Sequence, residues 1–173
     1  MRSVLFLDYD GCLHPHDVYL VDGVPVMRRD GPQLFEHANL LAELLEPYPQ
    51  VQIVLSTSWV AKFGMIRATL YLPAALQQRV VGTIYEFRTD KTEWAELSRF
   101  DQIMRYVNAN DVKSWVALDD DNNCWPECFE RHLVCPIPRL GLGEPRIQKE
   151  LADKLRSVHD AVQQRQRRQL NEA

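Results

Sequence analysis

The sequence contains no apolar run of 18 or more residues, so no part of it reads as a membrane-spanning helix. Cysteine is scarce: four in 173 residues are too few for a disulfide scaffold. Positive charge is in deficit. The net charge of −4 argues against a protein that coats nucleic acid through a broad basic surface. The balance is uneven, however, because Pro136 to the end carries 8 Lys/Arg against 5 Asp/Glu, leaving −7 for the rest. The RQRRQ stretch near the end reads as a solvated helix terminus, with a nucleic-acid contact as the alternative. There is no GxxxxGK[ST] loop, no internal repeat and no low-complexity segment. The first residues, MRSVLFLDYDG, lack the long apolar region and small-residue cleavage site of a signal peptide. A cytoplasmic protein of one domain, residues 1–173, is expected.

What is present is alternation. Val4-Leu5-Phe6-Leu7, Val51 to Leu55 and Ser114 to Leu118 are short apolar runs of the kind that form strands buried on both faces. Arg79 to Gly82 and Leu133 to Cys135 are weaker strand candidates. Asp22-Gly23 between two β-prone runs predicts a hairpin, about 17–28. Helical spacing joins Leu34, His37, Ala38, Leu41, Leu44 and Leu45 until Pro47 stops it. It joins Trp59 to Tyr71 before Pro73. Ser98 reads as an N-cap for a stripe of Phe100, Ile103, Met104 and Val107. Ile147, Leu151, Leu155, Val158 and Val162 predict a C-terminal helix, about 145–168. Strands alternating with helices imply an α/β domain whose mainly parallel sheet is covered on both faces.

The polar residues fall at the strand ends: Asp8-Tyr9-Asp10-Gly11, Ser56-Thr57-Ser58 and Asp119-Asp120-Asp121. In an open parallel sheet the carboxyl ends of the strands share one edge, and ligands bind there. Two carboxylates about 4 Å apart repel by roughly 4 kcal/mol at an effective dielectric of 20. Asp8, Asp10, Asp119 and Asp120 therefore need a cation between them, and all-oxygen donors point to Mg²⁺. A calcium loop does not fit. It needs an oxygen ligand where Cys12 stands, and a helix where a strand precedes.

FLDYDGCL resembles the first motif of the haloacid dehalogenase (HAD) superfamily, LSTS its second, Arg99 at a helix start its basic third, and WVALDDD its fourth. LDYDGCLHP, IVLSTSW, SRFDQIMRYV, ALDDD and Gly141–Gly143 together are similar to the HAD domains of Swiss Army Knife RNA-repair proteins. The resemblance implies a Rossmann-like fold and a Mg²⁺-dependent phosphomonoesterase with an aspartyl-phosphate intermediate on Asp8. It makes Asp10, the Asp two residues after the nucleophile, the general acid and base, and turns its backbone carbonyl to the metal. Ser56 would hydrogen-bond a phosphoryl oxygen, with Thr57 as its rival and Ser58 beside it. Gly11 would allow the tight turn, Arg99 would neutralise the phosphoryl group, with Lys91 and Arg88 as alternatives, and Asp119 and Asp120 would hold the metal. Asp121 reads as a helix cap.

Other residues carry competing readings. Cys124, Cys128, His132 and Cys135 form C-x₃-C-x₃-H-x₂-C, a partial zinc spacing that reads better as buried thiols. His14 and His16 either line the site's mouth or lie in solvent, and Trp59 reads as core or helix-start packing, with stacking on a nucleobase as the alternative. The gaps from Gly11 to Val51 and from Ser58 to Arg99 are too short for a cap domain, so only the hairpin should roof the crevice. By the resemblance, phosphorylated RNA or DNA ends are the leading substrate class, a 3′-phosphate ahead of a 5′-phosphate. A small-molecule phosphatase and a non-catalytic binding domain are the rivals, and the oligomeric state is open.

Overall fold

Five runs of apolar residues alternate with amphipathic ones, and burial of both kinds against each other builds the domain. The computed structural model describes residues 3–28 and 30–171. In chain order the elements are β1 (Ser3–Leu7), β2 (Val18–Val21), β3 (Val24–Met27), α1 (Ala38–Leu45), β4 (Val51–Leu55), α2 (Ser58–Phe63) and α3 (Met65–Leu70). There follow α4 (Ala74–Gln77), β5 (Val80–Thr83), α5 (Lys91–Glu96), α6 (Arg99–Ala109), β6 (Ser114–Leu118), β7 (Leu133–Val134) and α7 (Pro145–Asn171). Five strands form one parallel sheet in the order β5-β4-β1-β6-β7.

Every residue of β1 is buried, because the strand is central and alternates between two cores. Leu5 and Leu7 point into the layer holding Leu41 and Leu45 of α1 and Ile147, Leu151 and Leu155 of α7. Val4 and Phe6 point into the opposite layer, with Trp94 of α5 and Ile103, Tyr106 and Val107 of α6. The sheet is thus covered on both faces, as the strand–helix alternation predicts. No helix among the described residues is long and apolar enough to cross a membrane.

Three elements differ from the pattern read in the sequence. Trp59 to Tyr71 is not one helix: Gly64, with φ +79° and ψ 157°, breaks it into α2 and α3. The first helix begins at Ala38, since Phe35 at φ +59° cannot be helical. Helix α5, capped by the Asp90 side chain on the backbone N–H groups of Thr92 and Glu93, is an element that the apolar pattern does not mark. The hairpin is as expected: β2 and β3 pair antiparallel, and Asp22 and Gly23 both have positive φ, the turn that matches strand twist. The C-terminal helix runs to Asn171, whereas the side chains of Arg165 and Arg168 in the basic stretch lie outside the described residues.

Candidate active site

The sheet register brings the three strand ends together. Leu7 of β1 is level with Leu55 of β4 and with Leu118 of β6. The next residues on the three strands, Asp8, Ser56 and Asp119, therefore emerge side by side on neighbouring strands spaced about 4.8 Å apart. The ladder continues for one more bond at each: Asp8 N–H donates to Leu118 O at 3.0 Å, Ser56 N–H to Leu7 O at 2.9 Å and Asp119 N–H to Val134 O at 3.1 Å. This is the carboxyl edge at the middle of the sheet, flanked by strands reached in opposite directions.

Carboxylate oxygens of Asp8, Asp119 and Asp120 lie within 4.8 Å of one another, the one group of potential metal ligands among the described residues. Asp8 and Asp119 are buried. Burial, reinforced by Asp120 and Asp10, pushes the Asp8 carboxyl up to about 6 even though Arg99 and the Tyr9 N–H pull it down. Burial and the charge of Asp8 push Asp119 well above the ordinary carboxylate range, and Arg99 offsets only part of this. Asp119 Oδ2 has no hydrogen bond, although the Arg99 Nε stands 3.1 Å away out of alignment. Hard oxygen donors, mutual repulsion and an unsatisfied buried oxygen fit a divalent cation of the Mg²⁺ kind.

Gly11 is what lets Asp120 approach. Its φ is +71°, and a Cβ built there would lie 2.1 Å from Asp120 Oδ2. Arg99, at the first turn of α6, reaches across the sheet edge. Its Nη2 is 3.5 Å from Asp8 Oδ2, and its Nη1 donates to the Ser56 carbonyl. The Ser98 N-cap, accepting from Asp101 N–H, fixes where that helix starts. Neither alternative cation meets these carboxylates: Arg88 lies over the Tyr85 ring at 5.6 Å, and Lys91 is exposed at the start of α5.

The three consecutive hydroxyls separate by task. Ser56 Oγ is buried and has no hydrogen-bond partner. Thr57 Oγ1 is committed to capping α2, accepting from Trp59 N–H at 3.3 Å. Ser58 faces the crevice.

Asp10 is held by two residues whose reach the sequence did not disclose. The Trp59 indole N–H lies 3.1 and 3.0 Å from the two Asp10 oxygens. His14, fully buried rather than in solvent, accepts from Phe35 N–H at Nδ1 (3.3 Å), which leaves the proton on Nε2 to be donated to Asp10 Oδ1 at 3.1 Å. Burial raises the Asp10 carboxyl, but the hydrogen bonds from His14 and Trp59 outweigh it and the net shift is downward. His16 Nδ1 is 3.0 Å from Asp120 Oδ2, a hydrogen bond that raises the imidazole pKa. The Gly141–Gly143 segment docks under this loop, Leu142 N–H donating to Cys12 O at 2.8 Å.

The remaining expectations are corrected. Asp121 caps no helix; it closes a turn, its Oδ1 accepting from Asn123 N–H at 2.9 Å. Cys124 and Cys128 are exposed, not buried thiols, because the segment is a loop and a 3₁₀ turn on the surface. His132, half-buried, stacks on the core residue Trp115 and bonds its carbonyl through Nδ1 at 2.8 Å, so its ring is committed to that packing.

These groups open into a crevice of about 440 Å³, bounded by Asp8, Asp10, Arg99 and Asp120 at its floor and by the hairpin and α2 above. A parallel sheet with Asp-x-Asp-Gly after its central strand, a hydroxyl after one neighbour and an acidic pair after the other is the arrangement of HAD-superfamily proteins. Within that superfamily, the chain belongs to the family described as the HAD domain in Swiss Army Knife RNA repair proteins, whose model matches residues 4–147. Comparison with curated proteins and with solved structures gives no match.

Proposed function

We propose that this chain is a Mg²⁺-dependent phosphomonoesterase that works through an aspartyl-phosphate on Asp8 and removes phosphate from nucleic-acid ends. The observation that carries the reading is the meeting of groups on one floor: buried acidic Asp8 and Asp119, the latter with an unpartnered oxygen, and the partnerless Ser56 hydroxyl, with Arg99 beside both carboxylates. Oxygens that lack a partner need a cation, and a hydroxyl that lacks one can donate to a phosphoryl oxygen.

In this mechanism an Asp8 oxygen attacks phosphorus, the ester P–O bond breaks, and the leaving oxygen takes a proton from Asp10. Asp10, now ionised, takes a proton from water as that water attacks the acyl-phosphate, which frees Asp8 and inorganic phosphate. The donors from Trp59 and His14 favour the ionised form, suited to the second step, while an adjacent phosphate dianion favours the protonated form needed in the first. Ser56 and Arg99 donate to the transferring group as its charge is redistributed. Asp8, Asp119, Asp120 and the Asp10 carbonyl would hold Mg²⁺, which would supply positive charge against the repulsion between a dianionic ester and ionised Asp8.

Substrate size follows from the roof. The hairpin is small, and the crevice is open beside it, so a macromolecule can cover the site with its own bulk while a metabolite leaves it wet. The test is a Mg²⁺ screen of 3′- and 5′-phosphorylated oligonucleotides beside the matching mononucleotides. The expected result is higher kcat/KM on the oligonucleotides, the 3′-phosphate ahead. Equal or better turnover of mononucleotides assigns the site to small molecules; no turnover of any phosphomonoester assigns the domain to binding.

A further inference from the structure

Half of the crevice has no task in the phosphoryl chemistry. Its outer walls are Val18, Tyr19, Leu20 and Pro25 of the hairpin, and Lys62 and Phe63 at the end of α2. Ser58 and Lys62 stand four residues apart, so they project from one face of α2 and Lys62 sits about one turn, roughly 5.4 Å, farther from the sheet edge. Lys62 is exposed, and among the described residues it has no hydrogen-bond or ion-pair partner. The other basic side chains of the crevice are engaged, Arg99 with Asp8 and Asp119 and His16 with Asp120.

The wall opposite is apolar and aromatic. Tyr19 is 43% exposed and Leu20 48% exposed, although an apolar hairpin in water gains nothing from showing these side chains. A lone hairpin is marginally stable, but this one is tethered. The Arg67 guanidinium lies over the Phe63 ring at 5.0 Å, and its Nη2 donates to the Gly23 carbonyl in the hairpin turn at 3.5 Å. The apolar strand is thereby held across from Lys62.

We propose that Lys62, Tyr19 and Phe63 form a second-phosphate subsite. Lys62 pairs with the phosphate next to the one that is cleaved, and the rings of Tyr19 and Phe63 flank the base carried between the two. The ligand class is a nucleic-acid strand whose terminal phosphomonoester is followed by an internal phosphodiester. A bare phosphate leaves most of the 440 Å³ empty, and a simple apolar ester leaves Lys62 unpaired. The subsite rests on the phosphomonoesterase reading above, but its failure is separable.

The experiment compares two 3′-phosphorylated dinucleotides, one with a native phosphodiester and one with an uncharged methylphosphonate linkage, using the full chain with Mg²⁺. The wild-type protein prefers the charged linkage in kcat/KM by about fivefold, the upper end for an exposed ion pair. In Lys62→Ala the preference collapses towards unity, and in Lys62→Glu it reverses. Turnover without linkage preference, or a preference that survives Lys62→Ala, overturns the subsite and leaves the phosphomonoesterase intact. A nucleoside 3′,5′-bisphosphate turned over as well as the native dinucleotide gives the second phosphate to a small molecule and overturns the strand. Absence of turnover on every substrate overturns both readings.

Discussion

Trp59→Phe isolates one hydrogen-bond donor. The indole N–H lies 3.0 and 3.1 Å from the two oxygens of Asp10, and the ring is otherwise enclosed by Tyr9, His14, Phe35, Phe63 and Tyr71. Phenylalanine keeps most of that aromatic contact and removes the donor. A hydrogen bond to a charged group is worth about 1.5–3 kcal/mol, and with it gone Asp10 keeps only His14 as a side-chain donor. Two consequences follow. The Asp10 carboxyl rises, because a donor to the ionised form has been lost, so the limb of the pH–rate profile that reports it moves to higher pH. The carboxyl also loses its aim, and part of the 10²–10⁴-fold that acid–base help typically supplies is forfeited, about tenfold in kcat. The loss of aim falls on substrates that need their leaving oxygen protonated, whereas the hydrolysis step served by ionised Asp10 is slowed alike for every ester. Steady-state kinetics on an alkyl phosphate and on p-nitrophenyl phosphate, whose leaving group departs unprotonated, separate this from general damage. The alkyl ester should lose about tenfold more. Equal losses on both esters, with an unshifted pH profile, would refute the role given to Trp59.

The other predictions probe the floor. Asp8→Asn should abolish turnover, since an amide cannot form the acyl-phosphate, and Asp10→Asn should slow it by about 10²–10⁴-fold; rapid-quench kinetics that find wild-type turnover in Asp8→Asn sink the mechanism. Ser56→Ala should cut kcat by about 10²-fold while leaving the melting temperature unchanged, because the hydroxyl it removes has no partner to lose; a fall in melting temperature without a fall in kcat reverses the assignment. Gly11→Ala should raise the Mg²⁺ concentration needed for half-maximal activity, because the added carbon forces Asp120 aside. In the metal-free protein the raised Asp8 carboxyl means that the folded state holds its proton more tightly than the unfolded chain. Stability from this group is therefore full below about pH 4 and is lost as pH rises through about 6, by roughly 3 kcal/mol. Mg²⁺ should in consequence raise the melting temperature more at pH 7.5 than at pH 5, and an equal rise at both contradicts a site built on these carboxylates.

Legibility of the fold and of the floor had one physical source. A strand buried on both faces must be apolar throughout, so β1, β4 and β6 stand out as short runs, and each run stops where charge or hydroxyl begins. Once the strands are parallel and adjacent, their ends have to meet, and Asp8, Ser56 and Asp119 needed no further information to be placed together. Their assembly with Arg99 depended on one more local signal, the Ser98 cap that starts α6. Surface segments offered nothing comparable. Cys124 and Cys128 sit at helix-like spacing, yet nothing packs over them, and their exposure is set by neighbours that the spacing does not encode. Helix α5 did carry a signal, Asp90 followed three residues later by Glu93, but only Trp94 in it is buried, so no apolar stripe marked it.

The supports of Asp10 were hidden for a different reason: hydrogen bonds to a side chain are made by whatever tertiary packing brings within 3 Å. One rule could still have narrowed the search. A buried indole N–H as a rule finds an acceptor, and Trp59, near the start of a helix at the sheet's carboxyl edge, lies beside the acidic loop after β1. The same reasoning applied to His14 points the same way, because a histidine four residues from Asp10 on a tight loop, if buried, must satisfy both ring nitrogens. Asp10 was thus predictable as the shared acceptor of two buried donors, given only that both were buried. Burial is the missing quantity, and it comes from Phe35 and Tyr71, which close over Trp59 from parts of the chain with no motif of their own. The acid–base group is therefore tuned by an aromatic cluster whose composition alone reads as ordinary core.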